Sequence, residues 1–401
     1  MDETSDIYVG LNISNAVFAR MSLENLQGIS AGSYGVFAFH TKTNIPVSSV
    51  TDNDWVGIVL NTVEATMGSD IFMNTNTGHL TLQPGIYRIG AVSGIAYWNF
   101  DAQRPPTHGG FAGYVVLRDA TTMEILVAGS IAPTSGLVPS LIDTVVTVTE
   151  PTTLFLDHQV GERTEGMYTG FEDTVFARLT CIRLPENVEF AVFAYYPTYN
   201  LPLLPGWNRR SYNSVDAISS SLADHVVYGG SKDDDTDARE DSDPSDDYTD
   251  YTDSIEATRP FISLSHNQSK VVLQSGVYHI RASSMVMYIP ASIGRGGHQD
   301  TEDFEDMYCV LREERTQALS RAQSESEEDP IISTGTLADP VGGAPSLLTT
   351  IVQVPEGSEK TLYVEHWAGY ETKNLYFGLD STGTHMHVFA RLSITRIEDY
   401  T

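Results

Sequence analysis

The sequence predicts an all-β chain made of two tandem β-sandwiches preceded by an N-terminal β-hairpin. Three observations support this prediction. Blocks of sequence recur in the same order in the two halves of the 401-residue chain. The blocks are short and rich in β-branched and aromatic residues, and glycine and proline separate them. No stretch of useful length shows the periodicity of an amphipathic helix.

Seven blocks of the first half recur in the second half, and their common order makes chance a poor explanation. The matched blocks are VFAFHTKTNIP (36–46) with VFAYYPTYNLP (192–202), LQPGIYRI (82–89) with LQSGVYHI (273–280), YVVLR (114–118) with YCVLR (308–312), PSLI (139–142) with PSLL (345–348), LFLDH (154–158) with LYVEH (362–366), YTGF (168–171) with YFGL (376–379), and VFAR (175–178) with VFAR (388–391). These matches predict one sandwich over residues 30–186 and a second over 187–401.

A third copy of the last two blocks stands near the N-terminus. Residues 7–23 (IYVGLNISNAVFARMSL) carry it, and its matching positions are Tyr8, Leu11, Val17, Phe18 and Arg20. A lone hairpin is marginally stable in water, and its open edges invite pairing. Segment 1–29 is therefore expected to dock on its own first domain, on a partner protein, or on a neighbouring subunit by strand addition. We predict that it attaches the protein during assembly.

The order of the blocks resembles the C1q/TNF-like jelly-roll family over nearly the whole of each domain. The resemblance rests on the VFAFHT-like first strand with its N-x-P segment, on TGHLTLQPGIYRI (77–89), and on the closing Tyr-x-Gly hairpin with its terminal strand. The second domain departs from the pattern, because NQSKVV replaces TGHL. Family membership implies two jelly rolls and a homotrimer packed through the side chains of one sheet. Six aromatic residues could serve that packing or could instead fill the sandwich interiors: Tyr87, Tyr168, Phe176, Tyr278, Tyr376 and Phe389.

Two polar inserts distinguish the second domain. The first spans 230–258 and is dominated by aspartate, and the second spans 314–330. Such a density of like charge resists compaction, so the first insert is expected to be a solvated loop that gathers counter-ions. A Ca²⁺ site is the alternative, because hard cations prefer oxygen ligands, but the EF-hand spacing is absent. Its candidate ligands are Asp233, Asp235, Asp237, Asp241 and Asp243.

The composition argues against several classes of partner. The formal net charge of −30 disfavours binding to nucleic acid and to anionic membranes. No apolar run reaches transmembrane length, and the acidic start MDETSD lacks the apolar core of a secretory signal. Cys181 and Cys309 fall in different repeats, which disfavours a disulfide framework. We expect neither nucleic acid nor a membrane as a partner, and no cofactor.

The sequence offers little for catalysis. Asp157–His158 and Glu365–His366 recur at equivalent positions, but adjacent strand residues point to opposite faces of a sheet. His385 and His387 share a strand face that could hold a metal, yet no third ligand accompanies them. Neither a phosphate-binding loop nor zinc spacing is present. The protein is therefore not expected to be an enzyme.

These observations predict a structural protein of a virus particle, such as a head decoration, turret or spike component of a tailed phage or an archaeal virus. Assembly in the host cytoplasm, with the virion surface as the final location, reconciles an outward-facing fold with the missing signal sequence. The major capsid protein or other virion proteins would be its partners. The alternative is a receptor- or glycan-binding module that uses loop aromatics such as Trp98, Phe100 and Trp207.

Overall fold

The computed structural model of the chain describes residues 33–41, 43, 45–46, 51–52, 55–97, 112–133, 139–160, 167–170, 175–198, 200–219, 222, 262–265, 268–288, 307–315, 328–338, 344–369, 375–378 and 388–397. This part of the chain is built of antiparallel β-strands, which confirms the predicted all-β fold. The predicted N-terminal hairpin lies outside the described residues.

Strands β1 to β16 form the first sandwich. Their bounds are β1 Tyr34–His40, β2 Ile45–Pro46, β3 Thr51–Asp52, β4 Trp55–Ile58, β5 Thr62–Met67, β6 Ile71–Asn74, β7 His79–Leu82, β8 Gly85–Ser93, β9 Ala96–Tyr97, β10 Ala112–Asp119, β11 Ile125–Ala128, β12 Ala132–Pro133, β13 Ser140–Val148, β14 Thr152–Gln159, β15 Met167–Gly170 and β16 Val175–Leu184.

The first sandwich has two main layers. A five-stranded sheet has the order β13-β8-β16-β1-β5, and an eight-stranded sheet follows the path β11-β10-β14-β4-β3, with β6, β7 and β12 paired beside it. Side chains of alternating strand positions meet between the layers, because successive residues of a strand point to opposite faces. Phe37 and Ile89 of the first sheet and Val115 and Leu156 of the second belong to this buried core.

Strands β17 to β28 form the second sandwich. Their bounds are β17 Phe190–Tyr195, β18 Leu201–Pro202, β19 Gly206–Arg209, β20 Ser214–Ile218, β21 Ile262–Leu264, β22 Val271–Ser284, β23 Met287–Tyr288, β24 Met307–Glu313, β25 Ile331–Ala338, β26 Ser346–Ala368, β27 Leu375–Gly378 and β28 Ala390–Ile397. Among the described residues, each named strand pairs only with strands of its own sandwich.

The second sandwich repeats the strand order of the first. The run β20-β17-β28-β22-β26 corresponds to β5-β1-β16-β8-β13. Strand β26 passes through both layers, since its first part pairs with β22 as β13 pairs with β8, and its later part pairs with β24 as β14 pairs with β10. The sequence repeat is thus a repeat of topology.

Equivalent side chains make equivalent contacts in the two sandwiches. The Tyr87 hydroxyl donates to the Gln83 carbonyl at 2.8 Å, and the Tyr278 hydroxyl donates to the Gln274 carbonyl at the same distance. The backbone N–H of Val115 donates to Ser140 Oγ at 2.9 Å, as that of Cys309 does to Ser346 Oγ. Positions can therefore be matched between the sandwiches residue by residue.

The buried aromatic residues serve the sandwich interiors. Tyr87 lies in the core of the first sandwich, and Tyr278 and Phe389 lie in that of the second. Of the two alternatives left open by the sequence, these three therefore fill the sandwich interiors, because their rings are covered within one chain. Phe176 packs partly buried against the first core. Cys181 and Cys309 are free thiols buried in separate cores.

Within the described residues, no helix has the length and apolar character needed to cross a membrane.

Candidate functional site

The most distinctive feature of the described structure is the interface between the two sandwiches. Strand β13 of the first sandwich lays its outward side chains against the second. Val145 packs with Val188, Phe190 and Val192 in a cluster that belongs to both units. Ile131, just after β11, inserts into the core of the second sandwich. The interface is thus formed by one edge of the first sandwich and the outer sheet face of the second.

Two residues of the block VFAR (388–391) fix the second sandwich to the first. The backbone N–H of Val388 donates to the Gly129 carbonyl at 3.2 Å, and Val388 forms a parallel bridge with Ser130. Arg391 donates through Nη2 to the Ala128 carbonyl at 2.8 Å and to Asp216 Oδ2 at 2.7 Å. A block that recurs in the sequence is therefore in part an interface motif.

Asp143 is the polar centre of the interface. Arg281 of the second sandwich approaches Asp143 Oδ1 at 3.3 Å, and Arg88 of the first lies 3.8 Å from the same oxygen. The Ser393 hydroxyl donates to the Asp143 carbonyl at 3.2 Å. Arg88 Nη1 also lies 3.1 Å from His279 Nδ1 across the interface. One carboxylate thus sits between two guanidinium groups from different sandwiches.

Tyr196 of the second sandwich also contacts the first sandwich at this interface. Its ring packs against the cluster of Tyr114, Val116 and Ala128 in the first sandwich, and its hydroxyl donates to Asp216 at 3.1 and 3.0 Å. Burial, followed by the negative charge of Asp216, raises the pKa of the Tyr196 hydroxyl above its usual value. Tyr196 therefore remains a neutral donor at the interface.

A cleft of about 420 Å³ opens beside this interface, between the five-stranded sheet of the first sandwich and strands β22, β26 and β28 of the second. Four arginines line it, together with Asp143 and a mixture of small polar and aliphatic residues: Arg88, Arg178, Arg281 and Arg391. Each of the four lies within 4 Å of a carboxylate oxygen. The cleft is therefore a charged but largely neutralised space in a strongly acidic protein.

The repeat gives each interface residue a counterpart on the other sandwich. We call residues 128–130 with Leu141, Asp143 and Val145 the front face of the first sandwich. Their counterparts, residues 334–336 with Leu347, Thr349 and Ile351, are the front face of the second. We call Val388, Arg391 and Ser393 the back face of the second sandwich, and their counterparts Val175, Arg178 and Thr180 the back face of the first. The front face of the first sandwich contacts the back face of the second.

The counterparts differ sharply in burial. Val145 is 4% exposed, whereas its counterpart Ile351 is 64% exposed. Val388 is 1% exposed, and its counterpart Val175 is 43% exposed. The buried ion pair Arg391–Asp216 recurs as Arg178–Glu64, with a 2.8 Å contact and an open arginine. The front face of the first sandwich and the back face of the second therefore form a contact. The other two faces, the back face of the first sandwich and the front face of the second, are more exposed.

Two buried serine–histidine pairs are the closest approach to a catalytic arrangement among the described residues. Ser93 Oγ lies 2.9 Å from His158 Nδ1, and Ser284 Oγ lies 2.7 Å from His366 Nδ1. All four side chains are fully buried, so no substrate reaches them. Burial lowers the pKa of His158 to about 3, and it lowers that of His366 well below its usual range, helped by the nearby Arg210 cation.

The carboxylates next to these histidines point elsewhere. Asp157 pairs with Arg118 at 2.9 Å, and Glu365 pairs with Arg312 at the same distance. Each carboxylate thus belongs to a structural ion pair, as expected for adjacent residues on opposite faces of a strand. The described residues contain no cluster of three or more His, Cys, Asp or Glu side chains suited to a metal.

Most of the sequence-predicted site residues lie outside the described residues. This holds for the hairpin positions Tyr8, Leu11, Val17, Phe18 and Arg20, and for the acidic-loop positions Asp233, Asp235, Asp237, Asp241 and Asp243. It also holds for Trp98 and Phe100, and for His385 and His387. Predictions about these residues stay predictions.

Trp207 is described, and its predicted place on an exposed loop is wrong. It lies in β19, half-buried, in register with Trp367 of β26. The Trp207 and Trp367 ring centroids are 5.0 Å apart, and the Arg312 guanidinium lies 4.5 Å above the Trp207 ring. Trp55 has the same setting beneath Arg118, at 4.1 Å. Each tryptophan therefore packs on its strand beneath an arginine. The presence of this tryptophan–arginine combination in both halves of the sequence is the signal that could have predicted the packing.

No family model matches the chain, and no curated protein matches it. Among solved structures, murine APRIL is similar at a TM-score of 0.26 and 10% identity, over 38% of this chain and 99% of that chain. The PRD1 vertex protein P5 is similar at 0.25 and 11%, over 39% and 99%. PNGase F, a glycosylasparaginase from Flavobacterium meningosepticum, is similar at 0.27 and 12%, over 91% and 96%. Likenesses at these scores carry no argument about function.

Proposed function

We propose that the chain is a structural protein of a virus particle surface and that it works by assembly rather than by catalysis. One observation carries the assembly role: the back face of the first sandwich is uncovered, although its counterpart in the second sandwich is a buried interface. Met67 and Val175 leave apolar side chains exposed there, beside the open Arg178–Glu64 pair. An apolar patch on a sheet face is typical of a contact surface.

Other properties fit the same role. The net charge of −30 keeps like-charged copies soluble until specific contacts form. The buried serine–histidine pairs lie inside the sandwiches, away from solvent. The place on the particle as a decoration, turret or spike, the trimeric state, and the capsid protein as partner all belong to this proposal. The fold by itself does not determine any of them.

Particle loading tests the proposal. The tagged chain is added to particles purified from the source, and the particles are washed with salt and sedimented. We expect the wild-type chain to remain with the particles and Val175→Glu to stay in the supernatant, because a buried carboxylate opposes an apolar contact. Phe72→Glu is the matched control, since Phe72 is exposed on the opposite sheet. Absence of wild-type loading would refute the virion role, and normal loading of Val175→Glu would refute the role of the back face.

A recognition role is the second candidate, and the cleft favours it. Arginine N–H groups and Ser and Thr side chains line a space of about 420 Å³, which suits the hydroxyl groups of a glycan. Free chain that binds host cells but not particles would favour this role. Arg281→Ala would then weaken cell binding. This arginine is the suitable one to remove, because its partner Asp143 keeps Arg88 as a second cationic partner.

A further inference from the structure

We propose that residues 7–23 dock on the front face of the second sandwich of their own chain. The contacts would be those that Val388 and Arg391 make with the front face of the first sandwich. The N-terminal segment would then bind its own chain, whereas the sequence predicts that it attaches the protein during assembly. The inference does not depend on the proposed virion function.

The observed contact supplies the template. Val388 bridges Ser130 in parallel and donates its backbone N–H to the Gly129 carbonyl at 3.2 Å. Arg391 reaches the Ala128 carbonyl at 2.8 Å. The apolar front-face residue Val145 is buried beside these contacts. What the first front face binds is therefore a strand that offers a valine N–H and, three residues later, an arginine.

The second sandwich presents an equivalent surface. Ser130 corresponds to Thr336, because the Leu141 N–H donates to Ser130 Oγ at 3.0 Å and the Leu347 N–H donates to Thr336 Oγ1 at 2.9 Å. The carbonyls that correspond to those of Ala128 and Gly129 are then those of Thr334 and Gly335.

This surface is more exposed than its counterpart on the first sandwich. Ile351 is 64% exposed in the middle of a long strand, although its counterpart Val145 is buried. Leu347 is 40% exposed beside it. Thr334 and Thr336 are half-exposed, whereas Ala128 and Ser130 are buried. The described structure therefore contains two front faces and fills one of them.

The sequence contains the matching ligand a third time. VFAR occurs at 388–391, where it fills the first front face, at 175–178 and at 17–20. In the last copy, Val17 and Arg20 take the places of Val388 and Arg391. Arg20 also brings a cation to a chain of net charge −30. Residues 7–23 are thus chemically suited to the second front face.

Chain connectivity favours an intramolecular contact. The VFAR strand of the first sandwich ends at Leu184 and leads through five residues into β17. The copy that ends at Leu23 leads through ten residues, 24–33, into β1. Ten residues span at most about 35 Å, whereas a sheet of five strands about 4.8 Å apart is about 20–25 Å wide. The segment therefore precedes the first sandwich much as the first sandwich precedes the second.

Disulfide trapping in the full chain tests the seat directly. Bridged strand positions lie about 5 Å apart between Cα atoms, which suits a disulfide. We use Val17→Cys with Thr336→Cys, oxidised by glutathione disulfide, which accepts the two electrons. Val388→Cys with Ser130→Cys calibrates the geometry, because those residues form the observed bridge. Val17→Cys with Phe72→Cys is the negative control, because Phe72 is exposed on the other sheet of the first sandwich, away from the cleft. The native thiols Cys181 and Cys309 are buried and compete little.

We expect the Val17–Thr336 pair to form a disulfide within one chain, at least tenfold faster than the Val17–Phe72 pair, with monomeric mass under non-reducing conditions. Failure of this pair while the calibration pair closes would overturn the proposal. A crosslinked dimer would overturn it too, because the segment would then dock on a neighbouring copy. No particle takes part, so this outcome is independent of the loading experiment.

Hydrogen exchange provides a second readout that needs no new cysteine. We expect deletion of residues 1–24, or Arg20→Glu, to speed amide exchange at residues 347–351 about tenfold. The matched control Phe72→Glu should leave that exchange unchanged. Equal exchange in the wild-type chain and the deletion variant would contradict the proposed seat.

Discussion

The arginine–carboxylate pair occurs at equivalent positions in both sandwiches, but it is buried in one and exposed in the other. Comparing the two pairs therefore tests how burial changes the contribution of an ion pair to stability. Arg391 and Asp216 are buried beneath the first sandwich, with 4% and 8% of their side chains exposed. Arg178 and Glu64 are equivalent by register and are 50% and 31% exposed. We expect Arg391→Ala to destabilise the chain much more than Arg178→Ala.

The magnitude follows from what each substitution leaves behind. Arg391→Ala strands the Asp216 carboxylate beneath the first sandwich and removes the bond to the Ala128 carbonyl. Breaking a buried pair in this way costs about 3–5 kcal/mol. Arg178→Ala leaves Glu64 in contact with water, and exposed pairs contribute about 0–1 kcal/mol. The difference of about 3 kcal/mol corresponds to a change of roughly 100-fold in the folding equilibrium.

Urea unfolding of the isolated chain measures both variants under conditions where no partner covers the back face of the first sandwich. Two domains can unfold in separate steps, so fluorescence and circular dichroism transitions are compared before free energies are assigned. A double-mutant cycle of Arg391→Ala with Asp216→Ala isolates the pair, and we expect a coupling of at least about 2 kcal/mol. Equal losses for Arg391→Ala and Arg178→Ala, within about 0.5 kcal/mol, would show that the burial argument is mistaken.

Two further predictions concern the buried histidines and Trp207. His158 has its pKa lowered to about 3 by burial, whereas an unfolded histidine titrates near about 6.5. The unfolded chain therefore binds more protons below pH 6.5. Stability is full above that pH and falls as the pH drops toward 3, by up to about 1.4 kcal/mol per pH unit per histidine. Urea midpoints between pH 7.5 and 5 should show a shallower slope for His158→Gln than for the wild-type chain, and an unchanged slope would contradict the assignment. Trp207→Ala should cost about 2 kcal/mol, roughly half the value for a fully buried tryptophan. Trp55→Ala should lower the free energy of unfolding by a similar amount. If Trp207→Ala instead lost binding to host cells without losing stability, the recognition role of Trp207 would be restored.

The strands of both sandwiches could be predicted because each block carries its own local signal. Blocks such as LFLDH and LYVEH alternate apolar and polar residues, and they form β14 and the later part of β26. The merging of β13 and β14 into a single strand in the second sandwich could not be predicted. It depends on β22 running unbroken alongside β26, with a bulge between Gln274 and Gly276. The placement of Trp207 on a loop was wrong because its strand is fixed by pairing with Trp367, a residue distant in the sequence.

The interface could not be predicted, because identical sequence blocks have different surroundings in the two sandwiches. VFAR at 388–391 is covered by the first sandwich, whereas VFAR at 175–178 leaves Val175 exposed. No local propensity distinguishes these copies, since burial here is decided by a neighbour rather than by the strand. The repeat nevertheless makes the exposed copy informative. A solvent-facing valine or isoleucine is unremarkable by itself. When its counterpart is buried by a neighbouring sandwich, the same exposure indicates a surface that has a defined kind of partner.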